Sequence, residues 1–127
     1  MLIRVYSEIF LDHFKNPRHV GALEPPAITI QVENPACGDI LQLSVLWLDG
    51  KVEELRYKVR GCTASIAAGS ALTEWLSGKT LGEVRNLTAA TIEVAVGGLT
   101  PETKHAAVLC VDGVKRMVSV YTQISAA

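Results

Sequence analysis

Leu41-Gln42-Leu43-Ser44-Val45-Leu46-Trp47-Leu48-Asp49-Gly50-Lys51-Val52-Glu53-Glu54-Leu55-Arg56-Tyr57-Lys58-Val59 holds two alternating runs joined by one dipeptide. In residues 41–48, Leu41, Leu43, Val45 and Trp47 fall on one side and Gln42, Ser44 and Leu46 on the other, the period of two that a half-buried strand needs. Residues 52–59 alternate less cleanly, with Leu55, Tyr57 and Val59 sharing a side. Asp49-Gly50 between them tolerates the positive φ of a two-residue turn, so the stretch is an antiparallel hairpin. Upstream, Ile28-Thr29-Ile30-Gln31-Val32 alternates in the same way and supplies a third strand.

Further out the period changes. Residues 6–14 place Ile9, Phe10 and His13 at helical spacing, and Asn16-Pro17 ends the run. Residues 18–26, with Gly21, Pro25 and Pro26, form an extended connection. Residues 63–76 are Ala-rich and helical, with Ile66, Ala67, Leu72 and Trp75 as expected buried positions and Gly78 as the stop. Thr80 caps a short helix reaching residue 87, with Glu83 completing a capping box. Another stop follows at Gly97-Gly98, and Thr100-Pro101 opens the last helix. Its apolar stripe runs through Ala107, Cys110, Val111, Val114, Met117, Val118 and Tyr121. The expected fold is α+β: a three-stranded antiparallel sheet with helices packed on one face, one domain over residues 1–127.

Composition narrows the function. About half of the residues are apolar (49%), a fifth are charged (20%) and the formal net charge is −1, so the chain has neither a disordered composition nor a basic footprint for nucleic acid. No apolar run approaches the roughly 18 residues of a membrane span. Charges interrupt Met1-Leu2-Ile3-Arg4-Val5-Tyr6-Ser7-Glu8 too early for a signal-peptide core, and the cytoplasm is the expected compartment. Three cysteines there argue for thiol or metal chemistry over a disulfide framework, although three inert buried thiols fit the same count.

Three clusters carry that chemistry. Asn34-Pro35-Ala36-Cys37-Gly38-Asp39 sits in the turn between the first two strands, where a backbone curling at Gly38 can bring a thiolate and a carboxylate to one ion. An aspartate capping a turn beside an unrelated cysteine would read the same way. In Arg60-Gly61-Cys62-Thr63-Ala64-Ser65, Cys62 falls where a strand hands over to a helix, a position that exposes sulfur and favours its thiolate form. A small residue at a crowded junction is the alternative. Lys104-His105-Ala106 places a histidine at the start of the last helix, where a solvated surface residue is the plain reading and a fourth metal donor the functional one.

Taken in order, these motifs resemble the IscU/NifU family of iron–sulfur cluster scaffolds. Asp12-His13-Phe14-Lys15-Asn16-Pro17-Arg18-His19-Val20-Gly21 is similar to the family's opening. Pro35-Ala36-Cys37-Gly38-Asp39 is similar to its first ligand loop and Gly61-Cys62-Thr63-Ala64-Ser65-Ile66-Ala67 to its second. The resemblance implies a scaffold rather than an enzyme. It would take sulfur from a cysteine desulfurase, build a labile [2Fe–2S] cluster from iron, and pass it to recipient apo-proteins. Carried over by position, Cys37, Asp39, Cys62 and His105 are the ligands, and zinc is an expected occupant of the cluster-free form. A homo-oligomeric loaded form is compatible with this. His13 and His19 fall outside the ligand set and are read as packing or surface residues.

The chain departs from the family pattern at the third cysteine, whose position is held by Ala106. Cys110 comes one helical turn later, about 6 Å along the axis, so it is either a ligand or persulfide relay, or a core residue of the apolar stripe. The loss leaves two other readings open: a zinc-bound sulfur acceptor, or a paralogue that binds metal and partners without building clusters. Leu99-Thr100-Pro101-Glu102-Thr103-Lys104 also replaces the Leu-Pro-Pro-Val-Lys segment of members served by a dedicated Hsp70-class chaperone. The insertion that marks the zinc-dependent sulfur-acceptor subfamily has no room in the interval before the last helix, which favours the scaffold branch.

Overall fold

The structure is a computed structural model that describes residues 6–126; the reading of the first five residues as no signal peptide lies outside that range. Helix α1 (Glu8–Lys15) leads to strands β1 (Ile28–Glu33), β2 (Ile40–Leu48) and β3 (Lys51–Arg60). Helices α2 (Thr63–Leu76), α3 (Leu81–Val84), α4 (Ala89–Ala95) and α5 (His105–Ala126) follow, the last entered through a 3-10 turn (Pro101–Thr103). The sheet is an antiparallel meander in the order β1-β2-β3. Asp49 (φ 53°) and Gly50 (φ 75°) make the turn of the β2–β3 hairpin, both in the left-handed region that a primed turn demands.

Register puts Ile30, Leu43 and Tyr57 abreast on the inner face, where α2 and α5 cover them. The weak alternation in β3 has a cause. Between Leu46↔Glu54 and Trp47↔Val52 the pairing slips by one residue, so Glu53 is bulged outward. The bulge lets Val52 and Leu55 both face the core although three positions separate them. The helices settle close to the sheet at glycines: a Cβ on Gly69 would lie 2.5 Å from the Tyr57 ring, and one on Gly113 would lie 2.7 Å from Leu41.

The α+β architecture with an antiparallel three-stranded sheet agrees with the sequence reading, and α2 spans the expected residues 63–76. Helix α4 is an addition. Thr88 and Thr91 cap it reciprocally, a Ser/Thr-x-x-Thr variant of the usual box that lacks the acidic residue. No helix among the described residues is long and apolar enough to cross a membrane.

Candidate metal centre

One end of the sheet positions the site. Ile40 pairs with Arg60, so the residues just beyond them, Asp39 and Gly61, emerge side by side from neighbouring strands. Asp39 closes the β1–β2 turn, its backbone C=O accepting from Asn34 N–H at 2.8 Å. Gly38 takes φ 77°, which turns the chain between Cys37 and Asp39 at no steric cost. On the other strand Gly61 leads into Cys62, the N-cap of α2.

Asp39 is the buried member, only 7% exposed. Its Oδ2 accepts from Ser65 Oγ–H at 2.6 Å and from the Cys62 backbone N–H at 3.3 Å. The carboxylate thereby caps α2 from a different loop, at the helix end that favours negative charge. Burial pushes its pKa up. The hydrogen bonds from Ser65 and from the thiol and backbone of Cys62, with nearby His105, outweigh that and hold it below the ordinary carboxylate value. It is an ionised donor at neutral pH.

His105, the first residue of α5, approaches from the helical layer. Its Nδ1 lies 3.1 Å from the carbonyl oxygen of Glu102, in the 3-10 turn just upstream. A carbonyl can only accept, so Nδ1 carries the hydrogen and the lone pair of neutral imidazole sits on Nε2. That nitrogen is 3.5 Å from Cys62 Sγ and 3.7 Å from Asp39 Oδ2. Metal-binding histidines are commonly oriented by a hydrogen bond of this kind through the other ring nitrogen. The donor atoms of Cys37, Asp39 and His105 lie within 4.8 Å of one another. Cys37 and Cys62 are both exposed, so the thiol side of the group is open to solvent and to a partner. Two thiols, an imidazole and a carboxylate form a set suited to zinc or to iron in a cluster.

The structure thus brings Cys37, Asp39 and His105 into one group, with Cys62 Sγ joining it through His105 Nε2 at 3.5 Å. Cys110 is the exception and a correction to its reading as a ligand or relay. It is 1% exposed among Leu109, Val114 and Met117, and burial pushes its thiol up to about 12, so it stays protonated. Ala106 is likewise fully buried. His13 is buried against Ser70 and His19 is exposed, and neither belongs to the donor group. Ser65 and the Glu102 carbonyl are participants that the sequence reading passed over. Ser65 had a signal, since three positions beyond Cys62 on a first helical turn is the same face.

The NifU-like N terminal domain family matches residues 5–127. A protein of Archaeoglobus fulgidus named iron-sulfur cluster assembly scaffold protein IscU 1 is 35% identical over 117 residues, 92% of this chain and 76% of that one. The Haemophilus influenzae protein named iron-sulfur cluster assembly scaffold protein IscU is 36% identical over 120 residues, 91% of this chain and 94% of the relative. Among solved structures, a putative iron-sulfur cluster assembly scaffold protein for the SUF system from Fervidobacterium islandicum AW-1 superposes with TM-score 0.69. It is 21% identical and the match covers 87% of this chain and 94% of that one, a likeness of fold.

Proposed function

Since this chain belongs to the NifU-like N-terminal domain family, we propose that it is a scaffold on which a labile [2Fe–2S] cluster is assembled and from which it is handed on. The observation that carries this reading is the convergence of Cys62 Sγ, His105 Nε2 and the Asp39 carboxylate beside exposed Cys37. The cluster is cargo, and the site fits that task. Its thiols face outward, where sulfur can be delivered and the product removed, and two of its four donors are not thiolates. Imidazole can replace thiolate on an iron. Carboxylate is the harder, more exchangeable partner, so this donor set favours release over permanent storage.

The sulfur donor of this proposal is a cysteine desulfurase, and the recipients are apo-proteins with vacant cluster sites. The compartment is the cytoplasm, and the chain acts as a carrier without turnover of its own. With Ala106 at the family's third cysteine, sulfur enters at Cys37 or Cys62, the two exposed thiols. The test is anaerobic reconstitution with iron(II), cysteine, a desulfurase and a dithiol that reduces the delivered persulfide sulfur to sulfide. Cluster absorption bands are expected in the unmodified protein and lost in Cys37→Ser and Cys62→Ser; full colour in both variants would overturn the reading.

The same four donors also make a tetrahedral zinc set. Metal analysis of protein purified without oxygen separates the two uses. Firmly held zinc that iron and sulfide fail to displace, with persulfide on a cysteine, would favour a zinc-bound sulfur acceptor.

A further inference from the structure

We propose that Ser65 is a positioning residue for this metal site: its hydroxyl holds the Asp39 carboxylate, through Oδ2, in a fixed place beside His105. The inference rests on the metal-site reading above and deepens it.

Three observations carry it. First, Ser65 is 1% exposed on a helix whose buried neighbours are Ala64, Ala67, Ala68 and Ala71. Packing there is satisfied by a methyl group, and a buried hydroxyl is tolerated only with a partner. Its nearest partner is Asp39 Oδ2, at 2.6 Å, with Cys62 Sγ farther off at 3.5 Å. Second, the approaches to Asp39 crowd onto that same oxygen. Cys62 N–H donates to Oδ2 at 3.3 Å, and Oδ2 also lies 3.7 Å from His105 Nε2, so the oxygen that Ser65 holds is the one beside the imidazole. Third, the carboxylate rests directly on Gly61. A Cβ at residue 61 would come within 2.5 Å of Asp39 Cγ and 2.7 Å of both carboxylate oxygens. Held between the Ser65 hydroxyl and the Gly61 backbone, the group has little freedom to swing.

A carboxylate fixed in this way is a directed donor beside His105 Nε2, set in place before the metal arrives. Ser65 touches no metal in this arrangement; it acts through Asp39.

Cobalt(II) titration of the full chain, free of oxygen, tests the assignment. Bound cobalt reports thiolate ligation as a charge-transfer band and the whole donor set as visible ligand-field bands. Ser65→Ala is expected to keep the charge-transfer band, shift the ligand-field bands and weaken cobalt binding about 10-fold, as loss of an outer-sphere partner does. Ser65→Thr, which keeps a hydroxyl, is expected to recover most of the affinity. In an Asp39→Ala background the Ser65→Ala change is expected to have no further effect. Cobalt affinity and ligand-field bands unchanged in Ser65→Ala would overturn the positioning role alone. So would an affinity loss that persists in full without Asp39, because the serine would then act through Cys62 or the fold and not through the carboxylate. An unmodified protein that gives no thiolate–cobalt band would instead overturn the metal-site reading itself, and this inference with it.

Discussion

Nε2 of His105 lies 3.5 Å from Sγ of Cys62, although 43 positions separate the two residues in the chain. One starts the last helix and the other caps the second, so the contact exists only when the two helices are seated on the same sheet. The Glu102 carbonyl turns the imidazole so that its lone pair faces the thiol. Removing a direct ligand should cost more than the roughly 10–100-fold that a lost outer-sphere partner costs. His105→Ala is therefore expected to lower zinc affinity by more than that, measured by competition with a chromophoric chelator, while leaving the melting temperature nearly unchanged.

Gly61→Ala is expected to act on the site and on the fold together. The new methyl would sit 2.5 Å from Asp39 Cγ, and the carboxylate would have to leave its hydrogen bonds to Ser65 and Cys62. Overpacking of this kind costs about 1–3 kcal/mol. Urea unfolding should show that loss as a lower midpoint with an unchanged slope.

The thiols should divide sharply in reactivity. Cys37 and Cys62 are exposed, whereas Cys110 is 1% exposed and its thiol is pushed up to about 12. Under native conditions a disulfide reagent should titrate the first two quickly and the third only after denaturant is added. Cys110→Ser places a hydroxyl among apolar side chains and should destabilise by about 1–3 kcal/mol, with cluster loading retained.

Stability should fall on mild acidification because of His13. Its Nδ1 is 2.8 Å from Ser70 Oγ and 3.5 Å from Arg18 Nη1, while Nε2 is 3.4 Å from a Glu74 carboxylate oxygen; a guanidinium only donates and a carboxylate only accepts, so Nδ1 is the acceptor and Nε2 carries the hydrogen. Burial lowers the His13 pKa from 6.5, and Arg18 lowers it further against the opposing pull of Glu74 and Asp12. The folded pKa lies below the unfolded one, so the neutral form's stability is fully present above pH 6.5. It is lost as pH falls from there through the folded pKa. Urea midpoints should be level between pH 7 and 8 and decline as pH falls below 6.5, with His13→Gln flattening part of that decline.

The sequence carried the fold further than it carried the site. Asp49-Gly50 with alternation on both sides specifies a hairpin locally, and the Ala-rich run between Cys62 and Gly78 specifies α2, so neither needs tertiary information. The bulge at Glu53 was hidden because it is a property of the pairing between β2 and β3, visible in one strand only as a broken period. Helix α4 was hidden by its unusual threonine cap. At the site, residue types announced metal chemistry, yet only the Ile40–Arg60 register shows that Asp39 and Cys62 must meet. The two readings of Cys110 were separable only by burial, since the same helical face faces the core along its whole length.

The central claim is that Cys37, Asp39, Cys62 and His105 together hold the nascent cluster. Anomalous scattering at the iron edge from crystals of the cluster-loaded protein tests it most directly. The expected map has two iron peaks at bonding distance from the Cys37 and Cys62 sulfurs and from His105 Nε2, with the Asp39 carboxylate directed at one of them and Cys110 still in the core. Iron bound elsewhere, or ligated by Cys110 after a shift of the last helix, would contradict the account.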